Sequence, residues 1–211
     1  MLNAVISPAQ LRDFVPLAQR AVSVEATSMI RFRAVGQTVS GFVRLPYDVL
    51  AGRTLAADQI AGAEPARGFD ITVAASDFID WVEQSGPPPV SKDAHWLSAL
   101  PPRRGWRRVD VVPDRVIRDL VRSGAELAVG ATSRPSQEAL LASVVLTAAA
   151  GDSSVPDVQV RLGALTALTR MGFLSRNSEA AIDVSPGWVR VAAALGSTYV
   201  SDGKPLGLLS L

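Results

Sequence analysis

Four arginines, Arg103, Arg104, Arg107 and Arg108, surround Trp106 in the run RRGWRR, directly after Pro101 and Pro102. Guanidinium groups neutralise phosphate and an indole stacks on a base, so this spacing suits a basic arm on nucleic acid with salt-sensitive contacts. The same run equally suits a wet joint between folding units, with the Trp106 ring buried and the arginines paired to Asp110, Asp114 or Asp119. Both readings stay open from the residues alone.

Other chemistry is thinner. Asp77, Asp80 and Glu83 fall three apart and would share a helix face, where three carboxylates can hold a divalent cation; the two aspartates equally suit a positive helix N-terminus, and no further ligand stands nearby. His95, the single histidine, sits beside Trp96 without a nucleophile in sight and reads as a packing residue. Ser201 and Lys204 match the spacing SxxK, but Asp202, Gly203 and Pro205 make that stretch a turn. No phosphate loop, dinucleotide fingerprint, HExxH or GxSxG occurs, and cysteine is absent, which excludes thiol nucleophiles, disulfides and zinc ribbons. The expectation is therefore no catalytic residue, no metal and no cofactor, with an enzyme disfavoured.

With 211 residues, 48% of them hydrophobic, the chain can bury a core as one large domain or two small ones. No apolar run approaches the roughly 20 residues that span a bilayer, and the N-terminus lacks a basic start followed by an apolar stretch. A cytoplasmic protein without a membrane partner is expected. The net charge is only +1, with the basic excess in residues 101–150, where eight basic side chains face five acidic ones. Coating of DNA normally needs more.

The elements that must position these residues follow from punctuation and periodicity. Ser7, Pro8 and Gln10 predict a capped first helix, which Pro16 kinks or ends. Ile30, Phe32 and Ala34 alternate with Arg31 and Arg33, and Val39, Gly41, Val43 and Leu45 alternate with Ser40, Phe42 and Arg44, which predicts a hairpin with a basic outer face. A short helix over 46–55 and a strand over 70–75 follow, with Ser76 capping a helix that holds Phe78, Ile79, Trp81 and Val82. Three consecutive prolines mark 85–94 as extended linker.

Beyond it, helices are predicted from Pro113 to Gly124, from Ser133 or Ser136 through Leu146, and over 157–171, where Val158, Leu162, Leu165 and Leu168 mark the buried side. AAIDV and WVRVAA flank Ser185, Pro186 and Gly187 as a second hairpin. In LTALTRMGFLSRNSEAAIDVSPGWVRVAA, three helices, a Gly172-Phe173 step and a hairpin resemble a winged helix-turn-helix domain. That resemblance implies a recognition helix carrying Gln159, Arg161, Thr166, Thr169 and Arg170, with Arg176 and Arg190 on phosphate and Trp188 sharing a strand face with Arg190. The segment departs from the usual pattern in being neutral overall, which makes a degenerate winged helix for protein contacts the rival.

The resulting expectation is an α+β protein: a small N-terminal α+β unit with a β-hairpin over 1–84, a proline-rich linker and basic segment over 85–109, and a winged-helix-like unit over 110–211. The function expected is a nucleic-acid-binding, DNA-directed transcription regulator, and the alternative is a non-catalytic protein-protein adaptor. Leu206, Leu208, Leu209 and Leu211 make the tail apolar and suggest a homodimer through it.

Overall fold

A computed structural model describes residues 7–46, 48–56, 68–130, 133–149 and 157–201. The chain divides into two compact units, one of residues 1–45 and 50–99, the other of residues 46–49 and 100–211. Both are mixtures of helix and antiparallel strand, as the sequence predicts at the level of class. Among the described residues no helix is long and apolar enough to cross a membrane. The tail of Leu206, Leu208, Leu209 and Leu211 lies outside the described residues.

In the first unit, α1 (Pro8–Leu11), a single 3-10 turn and α2 (Val15–Val24) precede β1 (Met29–Val35), β2 (Thr38–Leu45), β3 (Val49–Ala56) and β4 (Phe69–Ala74), and α3 (Ala75–Glu83) closes it. The strand order is β4-β1-β2-β3. Alternation along β1 turns Ile30, Phe32 and Ala34 toward the helices, and their partners across the ladders are Val43, Gly41 and Val39 on one side and Val73, Ile71 and Phe69 on the other. Phe32 sits between Phe14 and Phe78, with ring centroids 5.4 and 4.9 Å away, and all three rings are fully buried. Each such ring stabilises the fold by about 1.5–3 kcal/mol through burial, which makes this trio the centre of the unit.

Three local expectations are corrected here. Pro16 neither kinks nor ends a helix: it falls in the first turn of α2, where no backbone N–H is needed. Residues 49–56 are strand, because Asp48 takes a left-handed φ of 57° that reverses the chain out of β2, and Ser40 Oγ then meets Thr54 Oγ1 at 2.8 Å. Helix α3 begins at Ala75 without a side-chain cap from Ser76; its first amide donates to the Ser28 carbonyl instead.

The second unit contains β5 (Arg107–Pro113), α4 (Asp114–Ala128), α5 (Arg134–Ala142), β6 (Val144–Ala148), β7 (Val158–Arg161), α6 (Leu162–Arg170), β8 (Glu179–Ser185), β9 (Trp188–Ala193) and β10 (Gly196–Ser201). Strands run in the order β10-β9-β8-β5, and β6 and β7 form a separate two-stranded ribbon. Ile117, Leu162, Leu165, Leu168 and Met171 form the apolar layer against Ile182 and Val191. Thr198, fully buried, donates to the Ala164 carbonyl and ties β10 to α6. Gly196 lets the chain pass Phe173: a Cβ there would fall 2.5 Å from the ring.

This order of elements is not that of a winged helix. The predicted second helix stops at Ala142, since the β-branched run Val144-Val145 continues as β6, and the predicted third helix over 157–171 is strand β7 followed by nine residues of α6. Six of those nine are buried, so α6 is a core helix with no face free to enter a groove. The predicted hairpin, β8-β9, lies inside a sheet flanked by β5 and β10 instead of projecting as a wing.

Candidate functional site: a charged row across the second sheet

Antiparallel registers place Arg108 opposite Asp183, Asp183 opposite Arg190, and Arg190 opposite Tyr199. Four side chains from β5, β8, β9 and β10 thereby form one row. The neighbouring row, Ile182, Val191 and Thr198, is buried toward α6, so the alternation of the strands turns the charged row to the other face.

Asp183 is the pivot, with its side chain only 3% exposed. A carboxylate so buried is costly unless charged donors replace its water. Arg190 donates to Oδ2 from Nε at 2.9 Å and from a terminal nitrogen at 2.8 Å, and Arg108 Nε reaches Oδ1 at 3.3 Å. The Arg190 guanidinium also lies 4.4 Å over the Trp106 ring, which stands 5.9 Å from Tyr199. Burial pushes the Tyr199 phenol above its ordinary value, partly offset by hydrogen bonds with Ser197 and Arg190.

The run RRGWRR therefore divides. Gly105, at φ 80°, takes the left-handed turn that brings Trp106 under Arg190, and the Trp106 indole N–H donates to the Pro102 carbonyl at 2.8 Å. Trp106 is bound into the fold and its ring is not free to stack on a base, while Arg108 pairs with Asp183 and still leaves its side chain 64% exposed. Arg103, Arg104 and Arg107 are exposed.

The remaining candidates do not converge. Gln159 and Arg161 are exposed on β7, opposite Thr147 and Val144 of β6. Thr166 is half-buried on α6, Thr169 donates to the Leu165 carbonyl, and Arg170 ends the helix exposed. Arg176 is exposed in the following turn, and Trp188 is half-buried at the start of β9. The acidic trio is dispersed among separate partners: Asp77 takes Lys92, Asp80 takes Gln84, and Glu83 takes Gln19. Among the described residues no group of three or more His, Asp or Glu side chains is placed to hold a metal. His95 is exposed on a single 3-10 turn.

In the first unit the outer face of β1 carries a smaller version of the row. Asp70 takes Arg31 Nε at 2.6 Å and Arg33 Nε at 3.0 Å, and Arg31 lies 5.8 Å over Trp96. Desolvation by itself would raise the Asp70 carboxyl; the Arg31 hydrogen bond and the charges of Arg33 and Arg31 outweigh it and hold the group below its ordinary value. Sequence reasoning placed these arginines on one face but did not pair them with Asp70, which arrives from a strand 39 residues away.

Comparison with known proteins fits this architecture. Residues 4–99 match a family described as "Domain of unknown function (DUF8010)", and residues 101–205 match a second, "Domain of unknown function (DUF8185)". No curated protein matches the chain. Among solved structures it is similar to the DNA polymerase sliding clamp of Pseudomonas aeruginosa, at 15% identity and TM-score 0.59, over 93% of this chain and 64% of the clamp. It is similar also to the beta subunit from DNA polymerase of Streptococcus pyogenes, at 15% identity and TM-score 0.56, over 89% and 62%. The Helicobacter pylori beta clamp matches at 9% identity and TM-score 0.57, over 93% and 62%. The chain thus spans somewhat less than two thirds of the length of these clamps. These neighbours overturn the expectation of a winged-helix, DNA-binding transcription regulator, and the buried α6 supplies the physical reason. Residues of both units lie within the 93% of this chain that is similar in fold to part of a sliding clamp.

Proposed function

We propose that the protein is a non-catalytic scaffold that joins protein partners, with the exposed Arg103, Arg104 and Arg107 as an anchor for an acidic segment of a partner. The observation that carries this reading is the clamp fold over 93% of the chain. The solved neighbours are named as a DNA polymerase sliding clamp and a beta subunit from DNA polymerase, and the corresponding task here is to hold proteins together. The charged row supports it from within. Arg190 is held by Asp183 and Trp106, and Arg108 is tied to Asp183 at one nitrogen, which leaves Arg103, Arg104 and Arg107 as wet guanidinium groups beside the sheet edge. Arginine suits such a place because its fork pairs bidentately with carboxylates.

A photo-crosslinking residue at position 104, introduced in the native cell, tests the proposal. Discrete protein adducts that disappear when Arg103 and Arg107 become alanine are expected. Fluorescence anisotropy against duplex and single-stranded DNA should show no salt-dependent binding at low micromolar protein. Such binding, with a salt slope that shrinks in the arginine variant, would overturn the scaffold reading.

A further inference from the structure

The stretch that reads as a proline-rich linker is tied back onto the first unit. The Gly86 amide donates to the Asp80 carbonyl at 3.0 Å, Pro89 is buried, and the half-buried Trp96 ring lies 5.8 Å from the Arg31 guanidinium. Between Pro89 and Trp96, residues 90–95 meet β4, an end strand of its sheet, at Thr72. The Lys92 amide donates to the Thr72 carbonyl at 2.7 Å, and the Thr72 amide donates to Asp93 Oδ1 at 2.6 Å. Ser91 Oγ donates to Asp93 Oδ2 at 2.6 Å, and Lys92 Nζ reaches Asp77 Oδ2 at 3.4 Å.

What holds this span is polar. Lys92 is half-buried and its neighbours from Val90 to His95 are exposed, Val90 by 66%. A hydrogen bond at a wet edge exchanges for water at small net cost, and the burial of apolar surface that makes opening expensive is missing here. Spans of this kind open at lower free energy than the core. On the neighbouring strand β1, Phe32 is fully buried between Phe14 and Phe78 and belongs to the other extreme. Asp93 joins the two sides, since one carboxylate oxygen takes the β4 amide and the other takes the Ser91 hydroxyl; an ionised acceptor makes both bonds stronger than neutral ones.

We propose that residues 90–95 are a clasp that opens while the rest of the first unit stays folded, with Asp93 as its latch. Pro89 and Trp96 stay as fixed ends, and the span between them lifts from β4. Opening bares the Thr72 amide and carbonyl, the kind of backbone groups through which an end strand pairs with another strand, so the clasp governs when that edge is available. This goes beyond the scaffold reading and does not involve Arg103, Arg104 or Arg107.

Hydrogen exchange at single amides of the full chain, followed by NMR at low urea concentrations, tests the clasp. The Lys92 amide is the reporter, because its acceptor is the Thr72 carbonyl and the Asp93 carboxylate takes no part in that bond. In wild type it is expected to exchange about a hundredfold faster than the Phe32 amide, at a rate that urea leaves unchanged, while Phe32 exchange rises with urea. D93A is expected to speed Lys92 exchange by about tenfold with unchanged circular dichroism. K92A, which keeps the amide and loses only the pair with Asp77, is expected to change it by less than about threefold. Lys92 exchange that climbs with urea in step with Phe32 would mean that the span opens only when the unit unfolds, and the clasp would be overturned. A Lys92 amide indifferent to D93A, or moved as far by K92A, would overturn Asp93 as the latch.

Discussion

Asp183 shows how much a single buried carboxylate can organise. Replacing it with alanine leaves Arg190, about a quarter exposed, without its charge partner beside an apolar ring, and this should cost about 3 kcal/mol in urea unfolding. Trp106→Ala should cost about 2 kcal/mol, because the half-buried indole loses both its ring contact and its cation. Asp70 gives a pH signature in the first unit. Its folded value lies below the ordinary one, so its stabilisation is complete above about pH 4 and is lost as pH falls through the lower folded value. Asp70→Asn should therefore flatten the fall in stability measured by denaturant titration between pH 4 and 2. An unchanged profile would separate Asp70 from the acid response.

At the scale of elements, periodicity was informative where one face is buried and misleading where pairing decides. β1 with β2, β8 with β9, and the beginnings of α4 and α5 carry their patterns openly, the last with Ser133 Oγ accepting from the Ser136 amide. Residues 157–171 mix apolar positions that satisfy helix spacing, but VQVR alternates buried and exposed and is drawn into strand by its ladder with β6. β5 hides in the charges of RRVDVV, and β10 is defined by its register with β9. A repeated signal was present: ITVAASDFIDWV, VDVVPDRVIRDLV and VQVRLGALTALTRM each run from strand directly into helix, at β4-α3, β5-α4 and β7-α6. The close approach at β10 is testable. Gly196→Ala should cost about 2 kcal/mol by driving a methyl into the Phe173 ring, and a thermal melt would show it.

For the whole molecule, the division of the arginines separates stability from recognition. Changing Arg103, Arg104 and Arg107 together to alanine should alter stability by less than about 0.5 kcal/mol, because all three are exposed, while removing the partner adducts expected of the scaffold. A large loss of stability in that variant would place the three arginines in the fold alongside Arg108.

Composition, turn residues and alternation by themselves determined that this is an α+β chain with a hairpin in each half, since those features depend on neighbours along the chain and on which face meets water. They also located the basic run without resolving its two readings. Tertiary structure alone decided that Arg108 meets Asp183 from 75 residues away, that Trp106 lies beneath Arg190, and that α6 is core instead of a reading helix. The physical reason is that a charge or a ring acquires its role from what faces it, and in antiparallel sheets the facing residue is set by strand order and register, which the local sequence does not encode.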